Sequence, residues 1–183
     1  MVPVKWVTRS FPAVDRTASA WLIKRFIDPE AEFTFIRWPE EKPRPEHGIP
    51  FDIEGVELGH HDGKCTFEVI VEKYGITDPY VREIAEIVHA ADIRGELEKR
   101  PEAKLAKLIF DGLRLVTRDD RETLEVGMRI WDAIYAALRR REVEEKHKSE
   151  LEGLTRNEKL ERLRAIMRTL LESLAESPGA RNG

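Results

Sequence analysis

The polar turn Gly59–Lys64 and the residues after it contain the side chains best suited to bind a metal ion. His60 and His61 lie in the turn, and Cys65 and Glu68 follow it. Imidazole, thiolate and carboxylate are the usual ligands of zinc, while imidazole with carboxylate also suits manganese and iron. We expect this turn to bind a metal; the alternative is a solvated turn in which Glu68 only favours the N-terminus of the next helix.

A second group of candidate ligands lies in the segment EIVHAAD, which contains His89 and Asp92. The apolar residues at 81, 85 and 88 predict an amphipathic helix, and Asp92 continues their stripe. A carboxylate turned toward a core needs a metal or a cationic partner, so an arginine paired with Asp92 is the alternative. We predict that a divalent ion, zinc, manganese or iron, is held by His60, Glu68 and Asp92. The fourth ligand would be His89 or Cys65.

Arg9 and Arg16 flank the first predicted turn and could bind an anion between them. The planar guanidinium group matches the geometry of an oxyanion, so we expect both arginines to bind such a substrate. If the protein is an enzyme, Asp15, Arg16 and Cys65 are the candidate catalytic residues, with Asp15 or Glu68 carrying a proton and Cys65 serving as a redox-active thiol. The alternative is that Asp15 caps the following helix and the arginines form surface ion pairs.

The elements that must position these groups are a few early strands followed by helices. Alternating and β-branched residues predict strands over Val4–Thr8, Glu32–Trp38 and Phe51–Leu58. Capping residues and helical periodicity predict helices over Thr17–Ile27, after Thr66, from Asp78-Pro79, from Pro101 and after Asp119 or Asp120. The predicted fold class is α+β, a small N-terminal sheet of about three strands followed by a helical bundle and a C-terminal charged helix.

The composition changes after Arg139, and this change predicts a separate C-terminal extension. Half of residues 139–176 are charged, ten basic and nine acidic. A stripe of apolar residues within the extension would dock on the domain or pair two copies through a helix over 157–175, and it comprises Leu160, Leu163, Met167, Leu170 and Leu174. We predict an α+β domain over 1–141 and a charged helical extension with a disordered end over 142–183.

Composition excludes several classes of protein. The 31 basic and 35 acidic residues nearly balance, which argues against direct binding of nucleic acid. A single cysteine excludes a disulfide framework. The sequence contains no secretory signal, and no apolar run approaches the ~20 residues of a membrane span. We therefore expect a cytoplasmic protein without a membrane partner. The scarcity of Asn and Gln beside abundant charge is typical of a thermophile. No G-x-G-x-x-G or Walker A motif supports a nucleotide cofactor.

Several motifs in order resemble the C-terminal domain of the ChrB chromate-resistance family. They are WVTR at 6–9, DRTASAWLIKRFIDPEAEF at 15–33, PFD at 50–52, GVELGHHDGKCTFE at 55–68 and AAD at 90–92, together with MRIWDAIYA in the late helix. The resemblance covers roughly residues 4–140. It gives weight to Asp15, Arg16, His60, Cys65, Glu68 and Asp92, whereas His61 and His89 stand where the family often has other residues, among them Arg.

The resemblance implies a role in chromate resistance or in chromate-responsive regulation. Full-length regulators of the family carry an N-terminal DNA-binding region, and this sequence starts directly at WVTR, so we do not expect it to bind DNA. We predict a protein with a divalent metal site and an oxyanion site, the oxyanion being one such as chromate. The alternatives are a sensor or interaction module without turnover, which would act on a separate DNA-binding subunit, and a structural domain whose polar residues only cap helices and pair charges.

Overall fold

The structure is a computed structural model that describes residues 3–176. The fold begins with a parallel sheet of three strands. The strands are β1 (Lys5–Arg9), β2 (Glu32–Ile36) and β3 (Ile49–Pro50), in the order β2-β1-β3. Trp6 of β1 is in register with Phe33 of β2 on one side and with Ile49 on the other. Helices make up most of the remaining described chain, which confirms the predicted α+β class.

The third strand is much shorter than predicted. Ile49–Pro50 pairs with β1, and the Phe51 N–H adds one bond to the Val7 carbonyl at 3.0 Å. The rest of the predicted strand Phe51–Leu58 folds back on itself, with the Asp52 N–H donating to the Leu58 carbonyl at 2.8 Å. The reason is backbone geometry: Asp52 has φ 50° and Gly55 has φ 84°, and neither value continues a strand. This turn brings the Asp52 side chain beneath the end of β1 instead of leaving it on a strand.

The helices follow the strands in chain order. Helix α1 (Val14–Leu22) continues into a wider turn over Ile23–Ile27 and connects β1 to β2 as a βαβ unit. The later helices are α2 (Thr66–Lys73), α3 (Pro79–Asp92), α4 (Pro101–Val116), α5 (Asp120–Lys146), α6 (Lys148–Leu151) and α7 (Arg156–Glu172). Because β2 and β3 lie on opposite sides of β1, the carboxyl end of β1 is a point where the strand order reverses, and such points commonly form binding crevices.

Helix α1 is fixed against α5 by buried polar contacts. Asp132 of α5 accepts hydrogen bonds from Trp21 Nε1 at 2.9 Å and from Arg25 Nη2 at 2.6 Å. Trp131 Nε1 in turn donates to Thr17 Oγ1 at 3.1 Å. Burial strengthens such bonds and penalises any rearrangement that leaves them unmade. The start of α1, which carries several of the predicted site residues, is therefore held rigidly.

The C-terminal extension packs against the domain. Helix α5 runs without a break across the predicted boundary at 141/142, and Leu163 of α7 is buried with Val143 and Leu151. Leu174 is also buried, so much of the apolar stripe is covered by the chain itself. The predicted disordered end falls mainly on residues 177–183, which lie outside the described residues. None of the helices described between residues 3 and 176 has the length and apolar character of a membrane span.

Candidate oxyanion and metal site

Four arginines surround one cavity at the carboxyl end of β1. This arginine cleft has a volume of about 550 Å³ and is lined by Arg9, Arg16, Arg37 and Arg114, with Phe11 and Trp38. Glu40 supplies an acidic group to the same cavity. Four guanidinium groups facing one space create a field that attracts anions. The structure thus places both sequence-predicted arginines, Arg9 and Arg16, at one cleft.

Arg16 is the most firmly held of the four arginines. Its Nε donates to Asp52 Oδ2 at 2.9 Å, and its Nη1 donates to the carbonyl of Ser10 at 3.0 Å. Burial lowers the pKa of Arg16 from its ordinary value, and the nearby Asp52 carboxylate opposes that shift. Arg9 approaches the same residue, with its Nε 2.8 Å from the Asp52 carbonyl and its Nη2 3.4 Å from Asp52 Oδ2. Asp52 therefore holds both arginines at the cleft.

Phe11 holds a strained conformation at the edge of the arginine cleft. Its φ is 57°, in the left-handed region that bulky residues rarely adopt, and its side chain is 55% exposed. The Phe11 N–H donates to Asp120 Oδ1 at 2.9 Å, while its carbonyl accepts from Arg16 Nη1 at 3.2 Å and from Arg114 Nη1 at 3.3 Å. Backbone strain of this kind persists where surrounding contacts enforce it, and it concentrates at ligand sites.

Beside the cleft, three carboxylates converge on one imidazole nitrogen. His60 Nε2 lies 3.1 Å from Asp92 Oδ2, 3.2 Å from Asp15 Oδ2 and 3.6 Å from Asp52 Oδ1. We call these four residues the histidine–aspartate cluster. Asp15 and Asp52 are buried, whereas the His60 side chain is 48% exposed, so the cluster opens to solvent on the His60 side.

The cluster changes the protonation of two of its members. Hydrogen bonds that the His60 imidazolium donates to the Asp15 and Asp92 carboxylates raise the pKa of His60 to about 10, against the desolvation that partial burial imposes. Burial raises the pKa of Asp15 to about 6, while its hydrogen bond with His60 lowers it. An imidazolium among three carboxylates is favourable because its positive charge offsets their mutual repulsion. A divalent cation would offset the same repulsion.

Asp15 caps a helix, but not the helix that its sequence position suggests. Helix α1 begins at Val14 with Ala13 as its N-cap, so the expectation that Asp15 caps α1 is wrong. The carboxylate instead accepts the backbone N–H groups of Thr66 and Phe67 at the start of α2, both at 2.9 Å. These N–H groups have no partner within their own helix, which makes them good donors to a carboxylate.

Thr66, the expected N-cap residue of α2, has a different role. Cys65, not Thr66, is the N-cap residue of α2, and the Thr66 hydroxyl donates to Asp52 Oδ1 at 2.7 Å. Asp52 therefore receives donors on both oxygens, from Arg16 and Arg9 on one side and from Thr66 on the other. This residue connects the arginine cleft to the histidine–aspartate cluster.

The predicted metal ligands divide into two pairs. His60 lies beside Asp92, whereas Glu68 lies beside His89, with Glu68 Oε2 2.7 Å from His89 Nδ1. Cys65 belongs to the second pair, because its Sγ, a Glu68 oxygen and a His89 nitrogen all lie within 4.8 Å of one another. The Cys65 side chain is buried, and burial raises the pKa of its thiol well above the ordinary range. A protonated, buried thiol is a poor nucleophile and reductant.

Asp52, Arg37 and Arg114 complete the site and were not singled out from sequence. Asp52 lies in the family-like PFD motif, which was the available signal, but the strand predicted there gave it no role. Arg114 reaches the cleft from α4 and contacts the carbonyl of Phe11, more than a hundred residues earlier in the chain. Arg37 follows β2 directly. His61, by contrast, contacts the carbonyls of Val56 and Glu57 and closes its own loop.

The part of the chain that builds this site is similar to known proteins. Residues 6–138 match the profile of the family described as ChrB, C-terminal domain. Protein ChrB of Cupriavidus metallidurans is 32% identical over 133 residues, which cover 72% of this chain and 40% of that protein. The chain thus corresponds to well under two thirds of that relative's length. No solved structure matches.

The histidine–aspartate cluster predicts an unusual titration for His60. Its ordinary pKa is about 6.5, and a value near 10 means that the folded chain keeps His60 protonated well above neutral pH. At pH 8, folding is therefore accompanied by uptake of a proton on His60. The protonated His60 stabilises the fold fully below about pH 6.5, and this stabilisation is lost as the pH rises through about 10. NMR titration of the histidine ring carbons in chelator should show imidazolium at pH 8. A midpoint near 6.5 would contradict this account.

Proposed function

Because the chain belongs to the family of ChrB C-terminal domains, we propose that it binds a tetrahedral oxyanion such as chromate in the arginine cleft, beside a divalent cation held by the histidine–aspartate cluster. Membership of the family supports a role related to chromate resistance. The observation that carries the finer proposal is the position of Asp52. One of its oxygens accepts from Arg16 and Arg9, and the other lies 3.6 Å from His60 Nε2.

The arginine cleft has the donors that an oxyanion requires. Arg9 and Arg16 are oriented by Asp52 and by backbone carbonyls, so little side-chain entropy would be lost when they bind a ligand. Arg37 is exposed at the cavity and adds a further guanidinium group. Chromate is a dianion with four oxygens, and the forked guanidinium donates two parallel hydrogen bonds to such an ion.

The histidine–aspartate cluster brings candidate ligand atoms for a cation close together. Ligand atoms around one zinc or magnesium-sized ion are separated by roughly 3.0–3.5 Å. His60 Nε2 lies 3.1, 3.2 and 3.6 Å from carboxylate oxygens of Asp92, Asp15 and Asp52. One ligand atom each from Asp15, Asp52 and His60 lie within 4.8 Å of one another, and Asp92 would join them through its contact with His60. Three carboxylates with one imidazole suit manganese, iron or zinc. The bound dication would offset two of the three carboxylate charges and so reduce the repulsion between the cluster and an oxyanion in the cleft.

Reduction of chromate by a thiol is disfavoured by the state of the chain's one cysteine. Reduction of chromate needs an electron donor, and the one cysteine of the chain is buried with the pKa of its thiol raised. A second candidate, a sensor that reports oxyanion or metal to a partner, therefore fits the site better than a thiol-dependent reductase does. A sensor predicts stabilisation of the fold by chromate, about 2.7 kcal/mol at a hundredfold excess over Kd, with no change in the chromate itself.

Metal binding is tested by variants that separate the two groups of candidate ligands. Chelator-treated full chain is titrated with Mn²⁺, Fe²⁺ and Zn²⁺ by calorimetry. We expect His60→Asn and Asp92→Asn each to weaken binding at least tenfold, because each removes one ligand of the cluster. Glu68→Gln is the matched control and should bind as the wild type does. The cation proposal fails if the wild type takes up none of these metals, or if Glu68→Gln abolishes binding while His60→Asn does not.

A substitution of Arg37 tests oxyanion binding, because the exposed Arg37 side chain does not contribute to the core of the fold. Removing one charge-assisted hydrogen bond costs about 1.5–3 kcal/mol, so Arg37→Ala should weaken chromate binding roughly ten- to a hundredfold. Arg82→Ala, an exposed arginine of α3 away from the cleft, is the matched control. Calorimetry with chromate and with sulfate measures both. Equal chromate affinity in the wild type and Arg37→Ala would count against the cleft as the binding site.

A further inference from the structure

Helix α4 is apolar on two opposite faces. Its inner face buries Ala103, Ala106 and Phe110 in the core. Its outer face carries five large aliphatic side chains that are between 38% and 80% exposed, namely Leu105, Leu108, Ile109, Leu115 and Val116. At about 100° per residue these five lie within roughly 60° of the direction of Gly112, almost opposite Phe110. A contiguous exposed apolar patch of this kind marks an interaction surface.

Gly112 occupies the centre of this outer face, and the chain's own packing does not explain it. Glycine in the interior of a helix is unfavourable relative to alanine because it loses more backbone freedom on folding. A Cβ atom built at Gly112 would meet nothing within 4 Å. The small residue is therefore not required by any neighbour in the described chain. Glycine at the middle of an apolar helix face allows another helix to approach closely.

The aliphatic side chains are arranged symmetrically about this glycine. Leu108 and Ile109 precede Gly112 by four and three residues, and Leu115 and Val116 follow it by three and four. A two-fold interface is self-complementary: residue i of one copy contacts residue j of the other, and residue j of the first copy contacts residue i of the second. Two antiparallel copies of α4 that cross at Gly112 would place Leu108 and Ile109 of each copy against the second half of the other. We infer that the outer face of α4 is a homodimer interface, with the helices antiparallel and crossing at Gly112.

The charges beside this face favour a second copy over a charged partner. Asp111, at the edge of this face, pairs with Lys107 at 2.7 Å and lies 3.6 Å from Arg114, so its charge is compensated within its own chain. The groove between α5 and α7 differs, because its apolar floor is bordered by Arg129, Arg140, Arg164 and Arg168. Like charges would repel if two copies met there. The predicted pairing through 157–175 is therefore less favourable than pairing through α4.

The interface would lie on the side of α4 that faces away from the arginine cleft. Arg114 lines the cleft, and at about 100° per residue it lies roughly 160° around the helix from Gly112. The dimer inference does not depend on what the cleft binds, and its tests require no ligand.

Cross-linking tests the crossing point directly. Cys65 is the one native cysteine and is buried, so Gly112→Cys would introduce the accessible thiol. Disulfide formation requires Cα atoms about 4.4–6.8 Å apart, a distance that residue 112 reaches with its own copy only if the helices cross there. Mild oxidation of the full-length variant should give a covalent dimer. Leu160→Cys on α7 is the matched control and should remain monomeric on denaturing gels; cross-linking of Leu160→Cys alone would overturn the inference.

A second measurement covers the case in which Gly112→Cys itself disturbs the contact. Sedimentation of the wild-type chain should show a dimer, and the double variant Leu108→Glu, Leu115→Glu should be monomeric with unchanged circular dichroism and melting temperature. Both side chains are more than 70% exposed in the single copy, so the substitutions leave its core intact. Leu160→Glu should stay dimeric. A monomeric wild type, or a double variant that remains dimeric, would overturn the inference.

Discussion

The shared carboxylate of Asp52 is the interaction on which the arrangement of the site depends. It lies between two arginines that line an anion-attracting cavity and a histidine that belongs to an acidic cluster. A buried carboxylate is stable only with compensating partners, and Asp52 obtains them from β1, α1 and α2 together. Any ligand that competes for one set of these partners changes the electrostatic balance of the other.

Asp15 has a related role in joining elements. Its buried carboxylate binds the free N–H groups at the start of α2 and also approaches His60 in the loop before that helix. The end of α3 contributes Asp92 to the same point. The helices therefore meet at a polar junction as well as through apolar packing. This arrangement keeps three carboxylates close together, which costs electrostatic energy unless a proton on His60 or a metal ion is present.

The sequence was most informative where local rules apply. Helix-starting signals located α2, α3, α4 and α5, and the spacing of Arg9 and Arg16 around the first turn placed both at one cleft. Partners that come from distant parts of the chain had no local signal. Arg114 reaches the cleft because α4 packs beside the strand–helix turn, and Asp52 points toward β1 because its backbone takes a left-handed conformation where a strand was predicted. The grouping of Glu68 with His89, apart from His60, likewise depends on helix orientation.

We propose that anion and cation binding are coupled through Asp52. A cation bound at the histidine–aspartate cluster would offset the charge of the Asp52 carboxylate, which otherwise partly cancels the charge of Arg9 and Arg16, and would add positive charge near the anion. The most direct test is to measure chromate affinity of the full chain with and without saturating Mn²⁺, in the wild type and in Asp52→Asn. The account predicts that Mn²⁺ tightens chromate binding about fivefold or more in the wild type and has no such effect in Asp52→Asn. Chromate affinity that is independent of Mn²⁺ in the wild type, or equal coupling in Asp52→Asn, would contradict it.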